Sequence, residues 1–164
     1  MNLTKDQVIW GLLRLGMGWI FFWAFIDKVF GLGFATASGK GWLDGGSPTF
    51  GFLKFATHGP LAGIYQSMAG NPVVDWLFMI GLLLIGLALL LGMGVKIAGY
   101  SGALMLVLMY TAGFMPPVHN PFLDDHIINA IIMIGLTVVD AGSWLGFGRW
   151  WGNTKIVQRF GWLK

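Results

Sequence analysis

Residues 73–115 read VVDWLFMIGLLLIGLALLLGMGVKIAGYSGALMLVLMYTAGFM, and Asp75 and Lys96 are the only charged side chains in the whole stretch. A helix that crosses the hydrocarbon core of a bilayer needs about 20 predominantly apolar residues. Segments 73–91 and 97–115 each meet that requirement, and the connector GMGVK, 92–96, is short enough to force them into an antiparallel hairpin. Pro116-Pro117 ends the second member, because proline lacks the amide hydrogen and crowds the preceding turn.

Working outward, two further stretches have the same character, 8–30 and 126–144. The chain of 164 residues is 56% hydrophobic and only 10% charged, where a soluble domain carries about 25% charged residues. Its mean hydropathy is +0.73. The expected fold is a single all-α membrane domain over 1–164. It is a four-transmembrane-helix bundle with a long outer loop, 31–72, that carries short interfacial helices, and a basic, aromatic tail at 145–164. The run ATA at 35–37 resembles a signal-peptide cleavage site. The apolar run before it is longer than a secretory core and contains Arg14, so helix 8–30 is expected to be retained.

The sequence has no cysteine, which excludes thiolate nucleophiles, disulfide relays, iron–sulfur clusters and Cys-ligated zinc. Nine Trp and thirteen Phe suit the aromatic belts at membrane interfaces. Net charge is +3 with no nucleic-acid motif or basic stripe, so no nucleic-acid partner is expected. Lys5, Lys96, Arg149, Lys155, Arg159 and Lys164 fall on one side of the four spans, against Lys28, Lys40 and Lys54 on the other. The positive-inside bias then places both termini in the cytoplasm, in the cell membrane. Asp27, Asp44, Asp75, Asp124 and Asp125 lie outside with loop 31–72.

Within that loop Ser47 is placed to cap a short helix with Pro48 at its first position. The run DGGSP, 44–48, also offers backbone amides to an anion, as a glycine-rich turn entering a helix does. Gly-containing runs inside the spans, LGMG at 15–18 and AGYSGA at 98–103, are expected where helices approach closely.

Charges at membrane depth cost at least about 2.5–3.5 kcal/mol unless paired. Arg14 sits roughly 9 Å into its span at 1.5 Å per residue, and Asp140 lies at a similar depth in the last span. An Arg14–Asp140 ion pair tying the two helices is the expectation, with snorkelling of Arg14 to the headgroups as its alternative. Asp27 and Lys28 emerge at the opposite end of the first helix, beside the mouth of the last. The run HNPFLDDHIINA, 119–130, gathers His119, Asp124, Asp125 and His126. Their spacing matches no metal signature, so neither metal nor haem is expected. A His beside a carboxylate suits proton transfer, though the same residues also suit plain helix capping.

In order and spacing, GWIFFWAFIDKVFG, SGKGWLDGGSPTFGFL, the Leu/Ile-rich second span and NPFLDDHI resemble the DoxX/DoxD family of small four-helix membrane proteins, which includes subunits of thiosulfate:quinone oxidoreductase. The resemblance covers roughly residues 8–145. It implies a membrane oxidoreductase, or a subunit of one, that couples oxidation of a small anion such as thiosulfate to membrane quinone. A second oxidoreductase subunit is an implied partner, and an oligomer is compatible with it. On this reading Lys28, Lys40, Lys54 and Ser47 bind the anion, Asp27, Asp125 and His126 carry protons, and Trp19, Phe22 and Trp42 wall the quinone. The rival readings are a non-enzymatic assembly or scaffold subunit, or a transporter. The sequence shows neither the inverted repeats nor the broken helices that transporters carry.

Overall fold

The structure, a computed structural model, describes residues 3–117, 119 and 121–164, and it is helical with no β-strand among the described residues. Helix α1 covers Lys5–Phe30 and stops at Gly31, whose left-handed backbone (φ 62°) lets its amide donate to the Asp27 carbonyl at 2.8 Å. A 3-10 turn at Trp42–Asp44 and a π-helical turn at Phe52–Ala56 follow, then α2 at Ala62–Ser67. Helix α3 spans Pro72–Leu91, with the Asn71 side chain accepting from the Val73 amide at 2.9 Å and Pro72 at the first helical position. Helices α4 at Val95–Gly113 and α5 at Asp125–Val138 complete the bundle. Two short helices, α6 at Gly148–Gly152 and α7 at Lys155–Arg159, lie beyond it.

Helix α1 packs on α3 and α4 packs on α5. The turn after α3 joins the two pairs, and α1 touches α5 to close the ring. Met17, Phe21, Met79, Leu82, Ile85, Leu89, Leu106, Met133 and Leu136 fill the centre. Small residues set the close approaches. A Cβ on Gly18 would meet the Leu90 backbone, one on Gly86 the Phe22 backbone, and one on Gly99 the Met133 carbonyl. Helices bring their backbones this near where glycine replaces a side chain. Gly16 is different, with open space where its Cβ would be.

The outer surface is as apolar as the interior. Leu12, Trp19, Ile20, Leu77, Leu84, Leu104, Ile131 and Val138 are all exposed. Such a continuous apolar exterior belongs to helices surrounded by lipid, since water-facing monomers rarely leave large contiguous apolar patches uncovered. Three helices, α1, α3 and α4, are long and apolar enough to cross a membrane.

The last helix departs from expectation. It was expected over 126–144, but α5 ends at Val138 because Asp140 adopts a left-handed conformation (φ 54°) that a helix cannot continue. Its 14 residues reach about 21 Å, short of the roughly 30 Å hydrocarbon core. The 3-10 turn at Ala141–Ser143 and residues 144–147 carry the chain on. The polypeptide thus returns to the end where α4 begins: the Lys96 amide donates to the Lys164 carbonyl at 3.0 Å, and the Phe147 amide to the Leu91 carbonyl at 2.8 Å.

Candidate functional site

Sequence places Asp27 and Lys28 side by side, and one helical step of 100° sends them to different tasks. Asp27 is 1% exposed, and its carboxylate accepts from the Phe34 amide at 3.3 Å and the Thr36 amide at 2.8 Å. Both oxygens are therefore engaged in folding loop 31–41 back onto α1. Lys28 turns toward α3, where its ammonium lies 6.0 Å from the Phe78 ring centroid, at the outer limit of a cation–π contact. It makes no hydrogen bond or ion pair among the described residues.

Lys28 lines a cavity of about 410 Å³ between α3, α4 and the roof formed by residues 48–68. The walls are otherwise largely hydrocarbon and aromatic, with Phe52 and Tyr65 from the roof, Phe78 from α3 and Met105 from α4. Volumes of 300–1,000 Å³ with one or two polar groups are typical of small-molecule sites. The cavity opens sideways: Leu77, Leu104 and Leu108 line it, yet are 67%, 60% and 48% exposed on the apolar outer face of α3 and α4. Entry is from the surface that faces lipid.

The roof is pinned at two points. Asp75, buried in the first turn of α3, accepts from Ser47 Oγ at 2.9 Å, Thr49 Oγ1 at 2.6 Å and the Thr49 amide at 3.1 Å. On α4, the Thr111 and Tyr65 hydroxyls hydrogen-bond at 2.7 Å, and the His58 amide donates to the Ala112 carbonyl at 3.1 Å. Ser47 Oγ accepts from the Phe50 amide at 3.1 Å and so closes the turn at 47–50, while the helical turn that follows begins after Gly51 and not at Pro48 as expected. Sequence reading assigned Asp75 no role. Its signal was an acid in the first turn of an otherwise apolar helix, with Ser and Thr in the preceding loop.

At the start of α5, Asp124 is the helix cap, accepting from the His126 and Ile127 amides at 3.1 and 3.2 Å. His126 Nδ1 lies 2.7 Å from Asp124 Oδ2, so the carboxylate paired with this histidine is Asp124; Asp125 is exposed on the first turn. The His126 ring rests 4.3 Å from Phe114, which stacks on Phe52 at 6.3 Å. His126 therefore stands two rings behind the cavity wall, and among the described residues no hydrogen bond or ion pair links it to Asp27 or Lys28. His119 is exposed, and no three His or Asp side chains gather as a metal would require among the described residues.

The Arg14–Asp140 ion pair expected from the sequence is corrected by the structure. Arg14 is fully buried, and its Nη1 donates to the Leu89 and Leu90 carbonyls while Nη2 donates to those of Trp144 and Leu145 at 3.0 and 2.9 Å. Asp140 instead pairs with Lys164 Nζ at 2.7 Å and accepts from Ser143 Oγ at 2.7 Å. The last carbonyls of α3 have no intrahelical donor and carry the negative end of its dipole, so they hold a buried guanidinium without a carboxylate.

The remaining expected site residues lie outside the cavity. Lys40 and Lys54 are exposed. Trp19 stacks on Trp23 at 5.6 Å on the outer face of α1, and Phe22 packs 6.5 Å from Trp19. Trp42 meets Trp76 edge-on at 4.6 Å. Comparison with protein-family models, curated proteins and solved structures finds no match.

Proposed function

We propose that this chain is a membrane oxidoreductase, or the membrane subunit of one, that binds quinone in the cavity beneath Lys28. The observation that carries the reading is an ammonium group that makes no hydrogen bond or ion pair among the described residues, on the wall of an otherwise largely apolar chamber open to lipid. Lys28 is half-buried, and an ammonium partly withdrawn from water seeks an electronegative oxygen. A quinone offers carbonyl oxygens on a flat ring and a hydrocarbon tail, so its head fits between Phe52, Phe78 and Lys28 while its tail leaves past Leu77 and Leu104. Quinone supplies the electron-accepting chemistry when bound. The chain contributes an oriented cation, aromatic walls, and exclusion of water by the pinned roof. Oxidation of a small anion such as thiosulfate, assisted by a second subunit, is the reaction the sequence resemblance suggests.

The same proposal takes α5 with residues 139–147 as a fourth crossing. It is supported by the return of the tail to the start of α4. With both termini cytoplasmic, the cavity lies toward the outer leaflet of the cell membrane.

Titration of the purified protein with a short-tailed benzoquinone, followed calorimetrically, tests the reading. Lys28→Met is expected to weaken binding at least about tenfold, the loss of a hydrogen bond to a charged group. Leu108→Trp is expected to block the opening, and Lys40→Met to leave affinity unchanged. Absence of binding by the parent protein, or full affinity in both cavity variants, overturns the assignment. Thiosulfate-dependent quinone reduction in membranes, lost in Lys28→Met, tests the redox half.

A further inference from the structure

The cavity beneath Lys28 has a hydrogen-bond polarity that follows from its groups one by one. Lys28 itself only donates, since an ammonium carries N–H bonds and no lone pair. The other polar side chains on the wall are Thr49, Tyr65 and Ser101, and each hydroxyl owns a single proton. Thr49 Oγ1 donates its proton to Asp75 at 2.6 Å, and Ser101 Oγ donates to the Ile97 carbonyl at 2.7 Å. The Tyr65 hydroxyl lies 2.7 Å from Thr111 Oγ1, a contact in which either group could donate. Thr111 settles the direction. Its Oγ1 is 3.0 Å from the Leu108 carbonyl, which can only accept, so the threonine proton goes there. Tyr65 then donates to Thr111, and its own oxygen keeps only lone pairs for a ligand.

All three hydroxyls on the wall have thus committed their protons to the protein. Met105 and Met109 add thioether sulfurs, which are weak acceptors. A ligand complementary to this wall has an oxygen that accepts from Lys28 and an O–H that donates to the roof. An oxidised quinone has carbonyl oxygens and no O–H, so at Tyr65 it sets lone pair against lone pair. The quinol, its form reduced by two electrons and two protons, has a hydroxyl at each end of the ring. One oxygen can accept from Lys28 while the other hydroxyl donates to Tyr65.

We infer that Tyr65 is a hydrogen-bond acceptor through which this cavity selects the hydroxyl-bearing, reduced ring over the oxidised one. The inference rests on the quinone reading of the cavity. Holding the reduced form more tightly raises the potential of the bound couple, by about 30 mV for each tenfold. Bound quinone is then a stronger electron acceptor than quinone free in the bilayer, which suits a site where it is reduced.

The test compares a decyl-benzoquinone with its quinol, kept reduced under argon, by calorimetric titration of the purified protein. The quinol is expected to bind about tenfold more tightly, the effect of one acceptor pair left without a proton between them. Tyr65→Phe keeps the ring and deletes the oxygen. It is expected to bring the two forms within about twofold of each other by weakening the quinol. Thr111→Val deletes the group that takes the Tyr65 proton, so the tyrosine becomes free to donate. Here the gap is expected to narrow from the other side, with quinone gaining about threefold or more. A role confined to pinning the roof would weaken both forms alike in both variants, and that result overturns the proposal. Quinone bound as tightly as quinol by the parent protein also overturns it, while leaving the quinone site standing. Binding of neither form overturns both.

Discussion

A guanidinium deep in a bundle needs compensation, and Arg14 obtains it from main-chain oxygens. Four carbonyls from two separated segments accept its two terminal nitrogens, while Nε has no partner among the described residues. The side chain thereby caps α3 and fastens the 144–145 turn to α1. Replacement by leucine leaves those oxygens without a donor in an apolar setting. Arg14→Leu is expected to lower stability by about 3 kcal/mol or more, measured by unfolding in mixed micelles with sodium dodecyl sulfate. Arg14→Lys should recover only part, because one ammonium cannot fork between the α3 end and the turn. At this scale sequence was a partial guide. Position along the helix made the depth of Arg14 legible. Main-chain acceptors carry no residue letter, so opposite charges were matched with each other. Asp27 and Lys28 stand out in the sequence as an adjacent pair of opposite charge, yet their division of labour depends on helix rotation against a loop whose path the sequence does not state.

Among elements, glycine decides how closely α4 and α5 approach. A Cβ at Gly99 would stand 2.1 Å from Thr137 Cγ2 and 2.8 Å from the Met133 carbonyl, whereas one at Gly16 meets nothing within 4 Å. Gly99→Leu is therefore expected to destabilise by about 2 kcal/mol or more through overpacking. Gly16→Leu should be neutral or slightly stabilising, since glycine is a poor helix residue. Thermal unfolding of both in the same detergent provides the comparison. The long helices were legible because unbroken apolar runs leave little choice, and their ends followed Asn71-Pro72 and Gly92. The early end of α5 was not legible. The apolar pattern runs on past Val138, and only the backbone at Asp140 reveals the break. The roof was half legible: Ser47-Pro48 announced a turn, which Ser47 closes through the Phe50 amide, while the Asp75 anchor depends on a long-range meeting of loop and helix.

For the molecule as a whole, α5 decides the topology. If α5 and its extension cross, residues 38 and 158 lie on opposite sides; if they do not, both lie on the same side. The sequence contains no cysteine, so single thiols can be introduced without background. Ser38→Cys is expected to react with an impermeant maleimide applied to intact cells, and Gln158→Cys only after permeabilisation; both positions are exposed. Labelling of both from outside overturns the fourth crossing, and the reverse pattern overturns the orientation. The sideways opening beside Leu77, Leu104 and Leu108 has one more consequence. Whatever fills that chamber arrives by two-dimensional search through acyl chains. Its occupancy then tracks moles of ligand per mole of lipid, and diluting the vesicles with buffer leaves occupancy unchanged for any compound that stays in the bilayer.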